Sequence, residues 1–201
     1  MPAHAGAHRG DAWARSHFAA AERMREALNG RLLADRSRHD YQRVINAYRS
    51  VYYGAPSSTK ADPSVVAVAE ILVEMGRRFD DDKVLSDAIS QYKFLRREYP
   101  GSKYRFDALF TIGEIYRDDL NNPDHARTTF KEFLHRYPVN RLAEKARQAI
   151  AEMDREVQPG NKPEADKAAH EETPRKDDKE SGNALSLDAA SREAAAKAGF
   201  R

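Results

Sequence analysis

Histidine, aspartate and glutamate are the side chains through which this sequence could do chemistry, because it contains no cysteine. Disulfides, thiolate metal sites and a cysteine nucleophile are thereby excluded. The seven histidines are scattered. His4 and His8 stand four apart, the spacing of a metal pair on one helix face, but nothing near them supplies the third ligand a zinc site takes. His125 and His135 fall on one helical segment, too far apart to act together. Acidic runs at Asp80-Asp81-Asp82 and Asp118-Asp119 lack the alternating spacing and distal glutamate that surround a calcium ion. Their expected place is in polar turns. There Asp82 or Asp87 caps the next helix, since a carboxylate satisfies free N–H groups and suits the dipole. There is no Gly-rich phosphate loop, no His-Glu-x-x-His and no Gly-x-Ser-x-Gly. The expectation is a chain that is not an enzyme and takes no metal and no cofactor.

The elements that must carry these residues are helices. From about Asp11 to Asp154, apolar residues recur at three- and four-residue steps. Val84, Leu85, Ala88, Ile89, Tyr92, Leu95 and Tyr99 make one stripe; Ala126, Phe130, Phe133, Leu134 and Tyr137 make another. Breaks fall at Gly54-Ala-Pro56, Asp62-Pro63, Pro100-Gly101, Asn121-Asn-Pro123 and Pro138, where proline cannot continue a helix. Residues 1–10 are expected to be frayed. Residues 156–184 set prolines among Lys, Glu and Asp and are expected to form a disordered, charged linker. Residues 185–201 carry an Ala-rich helical pattern that alone would be marginal in water.

Composition bounds the partners. Of 201 residues, 40% are hydrophobic and 33% charged, and the formal net charge is +2. A nucleic-acid binder concentrates positive charge on one face, so no nucleic acid is expected. No apolar run approaches the roughly 20 residues of a membrane helix, so no membrane insertion is expected. The opening residues contain no h-region, which reads as a soluble cytoplasmic chain as written. An export signal upstream of a misassigned start would place it in the periplasm or cell envelope.

The breaks recur with a companion pattern. In a unit beginning at Ala69, Leu72, Met75, Gly76 and Phe79 are followed by Ala88, Tyr92, Leu95 and Pro100. In a unit beginning at Phe106, Leu109, Ile112, Gly113 and Tyr116 are followed, after one extra residue in the Asp118–Pro123 turn, by Ala126, Phe130, Phe133 and Pro138. A weaker unit from about Glu22 places Leu28 and Leu32 in the first helix and Tyr41, Ile45 and Tyr48 in the second. Tyr41 stands where the others have alanine, so this hairpin is expected to be splayed or to act as a cap. A long connection, Gly54–Pro63, follows it, and residues 140–155 supply a last helix. The total is about seven helices. Small Gly76, Gly113, Ala88 and Ala126 are expected where paired helices cross, large residues such as Tyr92, Tyr116 and Phe130 between helices, and Pro100 and Pro138 at the ends of second helices.

This pattern resembles the tetratricopeptide (TPR) repeat, a helix–turn–helix unit of about 34 residues. The resemblance covers roughly Tyr41 to Ile150. It implies an all-α solenoid of stacked hairpins, since one hairpin cannot bury its apolar stripe. The run Glu-Tyr-Pro-Gly-Ser-Lys-Tyr, then Ala-Leu-Phe-x-Ile-Gly-Glu-Ile-Tyr, then Phe-Leu-x-Arg-Tyr-Pro is similar to TPR proteins of the Gram-negative envelope. Those include outer-membrane assembly lipoproteins, periplasmic coordinators of cell division and the N-terminal helical region of some N-acetylmuramoyl-L-alanine amidases. No residue matches an amidase zinc motif, so that activity is not implied.

In such an array the first helices line the ligand face. The resemblance places Glu70, Val73, Arg77, Asp80 and Asp81 there, with Asp107, Phe110, Glu114, Arg117 and Asp118. The set leans acidic, unlike the basic clamp that captures chaperone C-termini. Either Phe110 is exposed beside Val73, rimmed by Arg77, Glu114 and Arg117, where it suits an amphipathic helix or extended peptide, or it packs on a neighbouring hairpin or the chain's own tail. The expected function is a scaffold for a protein or peptide partner in an envelope or cell-wall process. The alternative is the non-catalytic targeting region of a peptidoglycan amidase.

Overall fold

A computed structural model describes residues 9–157. Expectations concerning His4, His8, the linker beyond Val157 and the Ala-rich segment lie outside the described residues. Within them there is no strand. Seven α-helices follow one another: α1 (Asp11–Asn29), α2 (Arg38–Gly54), α3 (Ala61–Phe79), α4 (Asp82–Glu98), α5 (Arg105–Glu114), α6 (Pro123–Arg136) and α7 (Ala143–Val157). A 3-10 turn at Leu33–Asp35 lies between α1 and α2, and α5 runs on into a π-helical turn, Ile115–Asp119. Each helix packs against the next in sequence.

Local chemistry sets the boundaries. Ser37 and Asp40 form a capping box at the start of α2: the Asp40 N–H donates to Ser37 Oγ at 3.2 Å, and the Ser37 N–H donates to Asp40 Oδ2 at 2.9 Å. Asn122 caps α6 by accepting from the His125 N–H at 3.2 Å, and Pro123 follows in the first turn, where no donor is needed. The cap of α4 is Asp81, one residue before the expected Asp82, and it accepts from the Val84 N–H at 3.2 Å. Asp80 takes the left-handed conformation (φ 50°) and ends α3, which leaves Asp81 in the extended backbone that a cap requires.

Three expectations are corrected. The α2–α3 connection spans 55–60 rather than Gly54–Pro63, because Pro63 is accommodated in the first turn of α3. Leu32 is not a helical packing residue: Asn29-Gly30 ends α1, and Leu32 lies 75% exposed in the connection. Tyr41, which stands where the later units have alanine, lies inside the core. It is fully buried, and its hydroxyl donates to Glu74 at 3.0 Å, while Ala14 and Ala21 on α1 supply the small residues. Arg9 and Gly10 do not fray: the Arg9 N–H donates to the Gly54 carbonyl at 3.0 Å, and its guanidinium lies 4.5 Å over the Trp13 ring.

One apolar core runs through α1 to α5 and a second joins α5, α6 and α7. Phe130 and Phe133, both fully buried in the second, each contribute about 1.5–3 kcal/mol by leaving water. Ala88 and Ala126 are fully buried, and Pro100 and Pro138 follow α4 and α6 as expected. Both repeat glycines permit close approach, but to different neighbours. A Cβ on Gly113 would lie 2.6 Å from the Phe130 ring, whereas one on Gly76 would lie 2.7 Å from Leu85, seven residues before Tyr92, the counterpart of Phe130.

The π-helical turn accounts for this shift and for the extra residue. The Leu120 N–H donates to the Ile115 carbonyl at 2.9 Å, five residues back, and Asn121 then turns left-handed (φ 45°). The first helix therefore runs further past its glycine than α3 runs past Gly76, and α6 starts later relative to its alanine than α4 does. The net difference is one residue, and α6 is displaced along its partner.

Candidate protein-binding cleft

The cleft is built on α3. Glu70, Val73, Glu74 and Arg77 recur there at three- and four-residue steps, so all four share one face. Arg25 of α1, Leu33 of the α1–α2 connection, Tyr92 of α4, and Thr111 and Glu114 of α5 close around that face. The resulting cleft holds ≈ 690 Å³.

Nearly every charge in it is paired. Arg25 donates to Glu70 at 2.9 Å; burial works against the guanidinium, but that bond, the Glu70 charge and those of Tyr48 and Glu22 together outweigh it and raise its pKa. Arg36 reaches under the rim, pairing with Glu74 at 2.5 Å and donating to the carbonyls of Asn29 (2.9 Å) and Arg31 (3.2 Å). It thereby fixes the α1–α2 connection onto α3. Arg78 holds the same connection by donating to the Leu33 carbonyl at 2.9 Å. Arg77 makes a two-pronged contact with Asp119, at 2.7 and 2.9 Å, joining α3 to the π-helical turn; the hydrogen bond raises its pKa.

Three polar groups are left over. Glu114 is half-buried and has no hydrogen-bond or ion-pair partner among the described residues. Burial raises its pKa first and the Asp118 charge second. Tyr92 is only 6% exposed, and its hydroxyl makes no hydrogen bond among the described residues. The sole side-chain polar atom both sealed and unsatisfied among them is Ser58 Oγ, so the Tyr92 hydroxyl opens on the cleft. Burial, then Glu70, pushes its pKa up. The Thr111 hydroxyl is likewise without a partner among the described residues.

Of the ten residues expected on the ligand face, Glu70, Val73, Arg77 and Glu114 come together here. Asp107, Phe110 and Arg117 do not. Phe110 is 7% exposed, its ring 5.3 Å from Phe130 and 5.7 Å from Phe133, so it belongs to the second core. The exposed alternative for Phe110 is thereby corrected. Asp107 accepts from Arg141 at 2.5 Å. Arg117 donates to Asp118 at 2.6 Å and lies 3.7 Å from Glu152 of α7. The face of α5 on the cleft is the Thr111–Glu114 stripe, one residue around from Phe110. Asp80, Asp81 and Asp118 serve turns and pairs, Asp81 also meeting Arg38 at 2.6 Å. Tyr116 packs its ring 5.1 Å from His125.

Glu74 was missed, although its place four residues after Glu70 on the same helix face could have marked it. Arg25, Leu33, Tyr92 and Thr111 carried no such mark. Among the described residues no group of three His, Asp or Glu is placed to hold a metal, and no helix is long and apolar enough to cross a membrane. No protein-family model matches the chain, and no curated protein matches it either.

Proposed function

We propose that this chain is a non-enzymatic, TPR-like scaffold that holds a protein or peptide segment in the cleft between α1, α3 and α5. Its proposed setting is a bacterial envelope assembly or cell-wall process. One observation carries the reading: an open cleft whose walls are tied down by Arg25–Glu70, Arg36–Glu74 and Arg77–Asp119, but whose floor keeps unpaired polar groups. Pairs of this kind add little stability when exposed, about 0–1 kcal/mol each. Their use is to hold the walls at a fixed separation, and a preformed surface loses less entropy when it binds. The envelope setting rests on the likeness of the sequence motifs alone.

Site-specific photocrosslinking in cells tests the proposal. A crosslinking residue at Glu70 or Thr111, on the cleft, should capture one and the same protein. The same residue at Ser86 or Lys131, exposed and away from it, should not. Equal capture from both faces, or none from the cleft positions, would remove the cleft as the docking face.

A further inference from the structure

Among the described residues, the Arg78 cation of the cleft has no carboxylate partner but is spent on the Leu33 and Ala34 carbonyls, and Glu114 is the one charged side chain of the lining with neither a hydrogen bond nor an ion pair, although three cations are near. Arg77 is turned to Asp119 by two hydrogen bonds. Arg117 is engaged by Asp118 at 2.6 and 3.2 Å and leans toward Glu152. Lys145 acts on Glu114 only from beyond ion-pair distance. A half-buried carboxylate is thus left facing the cleft without neutralisation. Beside it stand two further lone acceptors, the hydroxyl oxygens of Tyr92, nine-tenths buried, and Thr111. An unpaired polar group in such a place costs free energy, and that cost is relieved by an occupant bringing N–H donors and a positive charge. On the rim, Leu33 is 53% exposed, an apolar step next to the charged floor.

We propose that the cleft takes a peptide segment that sets one lysine or arginine side chain on Glu114, with the Tyr92 and Thr111 oxygens accepting its remaining N–H groups, and lays an adjacent apolar side chain on Leu33. The proposal deepens the scaffold reading and depends on the cleft being the docking face. The charge sign follows from the molecule: the occupant's cation completes the only carboxylate in the cleft that the chain's own arginines leave alone. An acidic or phosphorylated segment would instead meet the unpaired Glu114 with like charge.

The probe is a library of end-capped random peptides, panned on the full chain. Recovered peptides should carry Lys or Arg at one register position with an apolar residue beside it. Glu114→Gln, which keeps the shape and disturbs no bond, should weaken them about tenfold, the order expected for losing a charge-assisted contact. Tyr92→Phe should weaken them about threefold, by losing one neutral hydrogen bond. Glu114→Lys should reject them and accept the same peptides with Glu at the basic position. Recovered peptides without a basic preference, or binding unchanged in Glu114→Gln, would overturn the proposal and leave the cleft as the docking face. Failure to recover any peptide would overturn both.

Discussion

Replacing Gly113 with alanine sets two effects of known sign against each other. Alanine in a helix interior is favoured over glycine by about 1 kcal/mol. The added methyl would lie 2.6, 2.8 and 2.9 Å from three atoms of the Phe130 ring, whereas carbon atoms rest at about 3.5–4.0 Å. Phe130 is fully buried, with Phe110 against it at 5.3 Å, so its ring has no open side to move into. Forcing such a gap open costs about 1–3 kcal/mol. The net expectation is destabilisation of about 1 kcal/mol, a fall in Tm of about 2–4 °C for a domain of this size. Urea unfolding followed by helical circular dichroism measures it. The cause is isolated by Phe130→Leu, which removes the ring edge that the methyl strikes. The double variant should be more stable than the sum of the two single changes by about 1 kcal/mol, within the range seen for touching residues. If Gly113→Ala stabilises the chain by the full propensity gain, or the two changes simply add, the crossing of α5 and α6 at this point is refuted.

Three more perturbations follow from contacts of the same kind. A methyl on Gly54 would lie 2.5 Å from Trp13, the only tryptophan, so Gly54→Ala should displace the indole and shift its emission to the red; an unchanged spectrum would count against the α1–α2 contact. The Ser37 hydroxyl and N–H hold the Asp40 carboxyl at about 2, with Arg31 adding to the effect, below the ordinary value of about 3.9. That depressed pKa gives a contribution fully present above about pH 4 and lost as pH falls through about 2, so the stability difference between the chain and Asp40→Asn should close across that window. An NMR titration placing Asp40 near 4 would contradict the capping box. Finally, Arg36→Lys should destabilise almost as much as Arg36→Ala, because an ammonium cannot reach Glu74 and the carbonyls of Asn29 and Arg31 together; the shared loss should be about 1.5–3 kcal/mol, read from the same unfolding curves.

The helices could be read from the sequence because their apolar periodicity and their stops are local. Pro100, Pro138 and Asn122-Pro123 act on the backbone next to them, whatever surrounds them. The first unit was harder: Leu32 fits the period, but Asn29-Gly30 ends α1 before it, and periodicity does not record where a helix stops. Three consecutive aspartates each offer a capping carboxylate, and only the left-handed turn at Asp80 selects Asp81. The cleft was half legible. Glu70, Val73, Arg77 and Glu114 followed from repeat position. Phe110 did not, because its exposure depends on where α6 lies along α5, and the π-helical turn moves α6. Arg25, Arg36 and Asp119 find their partners far along the chain, and a sequence with basic and acidic residues on every helix offers each of them many.

Because equivalent glycines meet non-equivalent residues, the two hairpins are not interchangeable modules. Transplanting α5–α6 into the place of α3–α4 would bring Phe130 onto its own glycine and leave no ring where Tyr92 now floors the cleft. The chimera would keep its helices and lose the floor of the cleft.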